Sequence, residues 1–125
     1  MELSRGIYLL RPKGAIYSLS DNNPKRTDKA INVNFRFVKF GKTEISFDKR
    51  KKDYEKIFGN NFVFEPVLYI KDLSKIKIIE KKIKKLFYKF LVVNPKTNKK
   101  LEWLKDIPLA TIQRYLLKKF KKYQP

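Results

Sequence analysis

The sequence predicts a small α+β domain, a mixed sheet flanked by helices, on three observations. Ile31-Asn32-Val33-Asn34-Phe35-Arg36-Phe37 alternates apolar and polar residues, the pattern of a half-buried strand. From Leu73 to Phe90 the apolar residues Leu73, Ile76, Ile79, Ile83, Leu86, Phe87 and Phe90 recur at steps of three and four, one stripe of a helix. Short β-rich runs bounded by Gly, Pro and Asn fill much of the remaining chain.

In chain order, Gly6–Arg11 and Ala15–Ser20 read as two short strands broken at Pro12-Lys13-Gly14. Ser20-Asp21-Asn22-Asn23-Pro24 opens a polar loop to about Lys29, ahead of the alternating strand, which ends at Gly41. Glu44–Phe58 reads as a helix, with Thr43 as N-cap and Gly59 just past its end. Phe62–Ile70 is β-rich, and Pro66 demotes it to an edge or bulged strand. Asp72 or Ser74 caps the helix to Phe90, Asn94–Asn98 is a turn, and Asp106 and Pro108 open a third helix through Leu109, Ile112, Leu116 and Phe120. No internal repeat or long linker divides the chain, so residues 1–125 read as one domain: a core of about 6–104, then a C-terminal helix and basic tail over 106–125.

Cys and His are both absent, which removes disulfides, thiolate chemistry, the commonest general base and the commonest metal ligand. Any catalysis must run on Tyr, Lys, Arg, Asp or Glu. The charge is lopsided, with 25 Lys and 6 Arg against 12 acidic residues and a formal net charge of +19. Such a field favours polyanions, so nucleic acid, DNA first, is the expected partner. No run approaches the ~18 apolar residues of a membrane span, and Met1-Glu2-Leu3-Ser4-Arg5 does not lead into a signal peptide. The expected location is intracellular, cytoplasmic or nucleoid-associated, or packaged in a virion or ribonucleoprotein assembly.

Two charges fall where apolar residues belong. Phe47, Arg50, Tyr54 and Ile57 share one side of the first helix, and Ile76, Glu80, Ile83 and Phe87 stack on the second. A carboxylate on a core-facing stripe costs several kcal/mol unless satisfied. A salt bridge between Glu80 and Arg50, a metal ion, or a place at the mouth of a cleft would each serve. Phosphodiester hydrolysis uses the same parts: a cation near the developing charge, and a carboxylate holding a divalent metal.

The order of these residues resembles the GIY-YIG nuclease superfamily, especially its phage- and giant-virus-type branch, over about residues 6–104. Lys39-Phe40-Gly41-Lys42-Thr43 is similar to the K-I-G-K-T form of the YIG motif, and Arg50 follows Gly41 by nine positions. Tyr69-Ile70-Lys71-Asp72 followed by Glu80, Ile83 and Phe87 resembles the branch's E-x-x-[LI]-H-x-x-[FY] segment, with Lys84 in place of His. Leu101-Glu102-Trp103-Leu104 is similar to its E-W-F segment. Gly6-Ile7-Tyr8 spells the first motif literally, but Tyr8 precedes Gly41 by 33 positions. Tyr17, within Ala15-Ile16-Tyr17-Ser18-Leu19-Ser20-Asp21, precedes it by 24 and needs a smaller insertion, so it is the favoured motif tyrosine.

The resemblance implies an endonuclease using Mg²⁺ or Mn²⁺. Glu80 would hold the metal and Arg50 the scissile phosphate. Tyr17 or Tyr8, with Lys39 if burial lowers its pKa, would move the proton of the attacking water. Gly41 would allow close backbone approach at the strand end. Lys42, Lys49, Lys51 and Lys84, with Lys118, Lys119, Lys121 and Lys122 on the C-terminal helix and tail as an accessory contact, would bind the nucleic acid. The Lys bias equally suits a catalytically inactive, sequence-blind structural DNA-binding protein of a virion, nucleoid or ribonucleoprotein. Either way, the logarithm of duplex affinity should fall steeply with the logarithm of salt, by about 0.9 per phosphate neutralised. Fluorescence-anisotropy titrations across salt check this, and a slope shallower than about −2 would indicate a protein partner instead.

Overall fold

Gly6-Ile7-Tyr8-Leu9-Leu10 is buried at every position, which a strand achieves only when both of its faces are covered. The computed structural model describes residues 4–14, 17–19, 31–93 and 98–125, with the backbone alone for 17–19, 31 and 32. In chain order it contains β1 (Gly6–Pro12), β2 (Tyr17–Leu19), β3 (Ile31–Val33), β4 (Phe37–Thr43), α1 (Phe47–Phe58), β5 (Phe62–Tyr69), α2 (Leu73–Leu86), β6 (Leu91–Val93), β7 (Lys100–Lys105) and α3 (Leu109–Lys119). The architecture is α+β: one five-stranded antiparallel sheet in the order β5-β1-β4-β7-β6, and a separate β2-β3 ribbon.

Strand alternation sorts the core into two halves. Ile7, Leu9, Val38, Phe40 and Leu104 pack with Ile76, Ile79 and Ile83 of α2 and with Ile112 and Leu116 of α3. On the other face, Tyr8, Leu10, Leu101 and Trp103 pack with Phe47, Tyr54 and Phe58 of α1 and with Val33 of the ribbon. The result is three layers: α1, the sheet, then α2 with α3.

Several expectations are corrected. The sheet is antiparallel throughout, not mixed. β4 and β5 do run in the same direction and are joined through α1, but β1 lies between them. The strand expected over 31–37 breaks in two. Asn34 closes a turn, its carbonyl accepting from Phe37 N at 3.0 Å and its side chain from Arg36 N at 2.9 Å.

α1 starts at Phe47 rather than Glu44, because Ser46 is the cap and its hydroxyl accepts from Lys49 N at 3.0 Å. Thr43, the expected cap, accepts from Ile45 N instead and braces the turn. α2 is capped by Asp72 but stops at Leu86, and Tyr88–Phe90 form a 3-10 turn into β6. Pairing of Leu91 with Leu104 draws the chain into the sheet there, leaving Leu86 and Phe90 exposed rather than on a buried stripe, and Leu73, at the other end of α2, is exposed as well. β6 and β7 had no counterpart in the sequence reading. α3 is not an appendage, since Ile112 and Leu116 are fully buried in the core.

Pro66 does lie on an edge strand, and the β1–β5 register shifts between Ile7 and Tyr8. Residues 15, 16 and 20 of the second expected strand, the polar loop from Asp21, and most of the Asn94–Asn98 turn lie outside the described residues.

Gly41 is a point of close approach in the sheet. It pairs with Tyr8, and a Cβ at Gly41 would collide with the Tyr8 phenol. The close approach is therefore a side chain crossing the middle of β4. Gly41→Ala should lower stability by about 1–3 kcal/mol, the usual range for overpacking, read as a lower urea midpoint with an unchanged slope.

Candidate functional site

Tyr8 points to the α1 side of the sheet, where the hydroxyls of Tyr8 and Tyr54 form a buried hydrogen bond of 2.7 Å. Tyr54 follows Arg50 by one helical turn, which places both on the sheet-facing side of α1. Phe64 stacks on the Tyr8 ring, with centroids 4.8 Å apart, and fixes its orientation. Burial pushes the Tyr8 phenol well above its ordinary pKa of 10.0, and Tyr54 adds to this through charge and hydrogen bond; Arg50 opposes. The Tyr8 hydroxyl therefore keeps its proton.

Lys39 precedes Gly41 by two residues and so shares its face of β4. Its side chain is 5% exposed, and Nζ donates to Glu102 Oε2 at 3.2 Å. The β4–β7 ladder covers Phe37–Lys39 against Trp103–Lys105, so Glu102 lies just past its last pair. Burial alone would lower the Lys39 pKa. The charges of Tyr54 and Glu102, the hydrogen bond to Glu102 and the more distant Glu80 outweigh burial and raise it. A lysine with a lowered pKa, ready to take a proton, is thus corrected to a firmly charged ammonium.

Glu80 lies half-buried at the edge of the α2 stripe, between the fully buried Ile76 and Ile83. Its carboxyl is pushed up to about 7, first by burial and next by the charge of Glu102, with Lys42, Lys39 and Lys84 opposing. No ion pair joins Glu80 to Arg50. Arg50 instead reaches Asp53 at 4.0 Å, its side chain 41% exposed, at the rim rather than inside the stripe. The long side chain allows this, because its aliphatic part can follow the apolar stripe while the guanidinium stays wet.

Beside Arg50 opens a cleft of about 500 Å³ lined by Lys42, Thr43, Glu44, Ile45, Lys49, Asp53 and Lys77. Lys42 donates to Glu44 at 3.3 Å. Four cations against two carboxylates suit an anion the size of a phosphate chain.

The fold thus brings Lys42, Lys49 and Arg50 to one cleft and links Tyr8, Lys39 and Glu80 to its neighbourhood through their charges, while Glu80 and Lys84, on α2, are outside the cleft lining. It does not bring Lys51 into the cleft lining. Lys118 and Lys119 end α3, and Lys121 and Lys122 lie in the 3-10 turn that follows, all exposed. The two candidate motif tyrosines stand in different sheets. The strand of Tyr17 belongs to the two-stranded ribbon, while Tyr8 lies on the central sheet opposite Gly41. Of the Tyr17 side chain nothing is described.

Sequence reading named Glu102 only within the E-W-F resemblance and gave no role to it, to Lys77 or to Tyr54. The Arg50–Tyr54 spacing was a usable signal for Tyr54. The pairing of Glu102 with Lys39 had no local signal, because the two are 63 residues apart.

Among the described residues no group of three or more acidic side chains could hold a metal ion, and no helix is long and apolar enough to cross a membrane. The chain matches no protein-family model, no curated protein and no solved structure.

The Glu80 carboxyl yields a stability prediction. Between its ordinary 4.5 and its folded value of about 7 the native state holds the extra proton, so stability is highest at low pH and falls as pH rises through that window. Glu80→Gln removes the cost of ionisation. It should match wild type near pH 4 and be more stable by on the order of 1–3 kcal/mol at pH 8, after allowance for partial exposure. Thermal melts across pH check this, and equal stability at pH 8 would show Glu80 to be fully solvated.

Proposed function

We propose that the protein is a GIY-YIG-like endonuclease that binds nucleic acid, DNA first, and hydrolyses its phosphodiester bonds with Mg²⁺ or Mn²⁺. The observation that carries this reading is the convergence of Tyr8, Lys39, Arg50 and Glu80 from four separate elements. They lie close enough to act on one another's charge or on that of a shared neighbour. Their order along the chain is the one that the resemblance implies.

The metal fits in a limited way. Glu80 is one desolvated carboxylate whose raised pKa leaves it in want of a cation, and Mg²⁺ commonly binds through one or two carboxylates while keeping several waters. When bound, the ion would supply charge stabilisation at the phosphate oxygens.

The chain's own residues do the rest. Arg50 grips a phosphate oxygen at the cleft rim, with a planar fork suited to that geometry. Lys42, Lys49 and Lys77 draw the strand in. Tyr8, hydrogen-bonded to Tyr54, keeps its proton and serves as a hydrogen-bond donor at the site, a different role from that of a free phenolate base; the proton of the attacking water passes to bulk water. Lys39 serves as a fixed positive charge beside the two tyrosines and takes no proton.

A second reading, a catalytically inactive DNA-binding structural protein, is favoured by the same two groups. A proton-retaining Tyr8 and a paired, charged Lys39 are what a structural polar network requires.

Supercoiled plasmid incubated with and without Mg²⁺ separates the two. The nuclease reading expects nicking that needs the metal, abolished by Glu80→Gln with DNA binding retained. Tyr8→Phe should slow nicking by roughly 10²–10³-fold, the usual cost of one lost hydrogen-bond donor at the reacting atoms, while Tyr17→Phe leaves it unchanged. If wild type never nicks, the structural reading stands. Nicking lost with Tyr17→Phe alone would make Tyr17 the motif tyrosine.

A further inference from the structure

Between Glu80 and Glu102 the chain carries eight lysines and no acidic residue. The same stretch holds a group of exposed apolar side chains, Leu86, Tyr88, Phe90 and Val93, at the end of α2, in the 3-10 turn and on the edge strand β6. Tyr88 is 55% and Phe90 46% exposed. Lys100 Nζ lies 3.9 Å from the centroid of the Tyr88 ring and donates to the Tyr88 carbonyl at 2.9 Å. That clamp orders the ring before any partner arrives. On α3, the exposed Tyr115 makes edge-on contact with the buried Phe87, centroids 5.5 Å apart.

We infer that this surface binds an unpaired nucleic-acid strand, with Tyr88 and Phe90 stacking on bases and Lys85 and Lys89 meeting the phosphates. The inference rests on nucleic acid being the partner. It goes beyond the proposed function in adding a second contact, outside the Arg50 cleft, and in naming the form of strand.

Charge complementarity selects the occupant. A second copy would oppose one lysine field to another, so like charges disfavour it. A lipid surface is usually met by a helix with a continuous apolar outer face. The outer side of α2 instead carries one exposed isoleucine, Ile78, among the exposed Lys77, Lys81, Lys82 and Lys85, so its apolar surface is not continuous. Aromatic faces between lysines suit bases and phosphates together. The bases must be unpaired, because in a duplex their faces are already stacked on one another.

The test uses the full chain with fluorescein-labelled oligo(dT), a hairpin duplex of similar length, and phosphatidylcholine–phosphatidylserine vesicles. Two double variants are compared with wild type: Tyr88→Ala with Phe90→Ala, and Tyr88→Leu with Phe90→Leu, which keeps apolar area but removes the rings. Both should bind oligo(dT) about tenfold or more weakly, with duplex binding and melting temperature unchanged. Ultraviolet crosslinking of oligo(dT) to wild type should map to Tyr88 or Phe90, a readout that needs no variant to fold. A leucine variant that binds oligo(dT) like wild type overturns the inference, and so does crosslinking elsewhere only. Vesicle binding lost in the alanine variant while oligo(dT) binding persists would assign the surface to lipid. Wild type that binds duplex but not oligo(dT) sinks this inference alone. Wild type that binds neither nucleic acid removes the proposed function as well.

Discussion

A lysine ammonium enclosed by a small domain has to be answered by an anion, and much of the α1 side of the sheet is arranged around that requirement. Lys39 is almost wholly buried beside Trp103, and Glu102 is the carboxylate that reaches it. An unpaired charge at that depth would cost several kcal/mol, a large share of the stability of a domain of this size. The pair also stands where the β4–β7 ladder ends. Beyond it, the segment Gly41–Thr43 keeps its pairing with β1 alone. The far end of β4 thus leads, through the turn braced by Thr43, to the Arg50 cleft.

From that point the electrostatics spread outward. Glu102 answers Lys39, and its charge also raises the proton affinity of Glu80 on α2. Tyr54 is coupled to both Tyr8 and Lys39, so the two tyrosines and the lysine behave as one network. Gly41 belongs to the same construction, because only a residue without a Cβ lets the Tyr8 phenol lie across β4. Arg50 and Glu80 stay at the margin of this network, half in water. That is where a group meant to meet a phosphate or an ion is useful, and where a purely structural pair would gain least.

Basic residues are spread over most of the surface, yet their settings differ. In the Arg50 cleft Lys42 and Arg50 each have a carboxylate within 4.0 Å, which holds the side chains in place and tempers their charge. Around Tyr88 the lysines stand among exposed rings with no acid between Glu80 and Glu102. One arrangement suits a positioned phosphate and the other a strand held by stacking. The two surfaces share only α2, the cleft through Lys77 near its start and the patch through Leu86 at its end, so substitutions at Tyr88 and Phe90 need not disturb the cleft.

The sequence by itself determined whatever depends on near neighbours. The apolar run of β1, the Asp72 cap, the Pro66 edge strand and the α2 stripe from Ile76 to Phe87 are local patterns, and each stands in the structure. The anomalous placement of Glu80 was legible too, because helical periodicity alone put a carboxylate beside isoleucines. Only the tertiary structure decided the rest. β6 and β7 are short segments whose strand character comes from pairing with each other and with β4, which no window of the sequence contains. Tyr8 and Tyr17 look alike as strand tyrosines; sheet order, not motif spacing, sets one against Gly41 and the other in the ribbon. The sign of the Lys39 shift was hidden for the same reason. Burial and a partner push a lysine's pKa in opposite directions, and the decisive partner, Glu102, arrives from a strand formed 63 residues further along the chain.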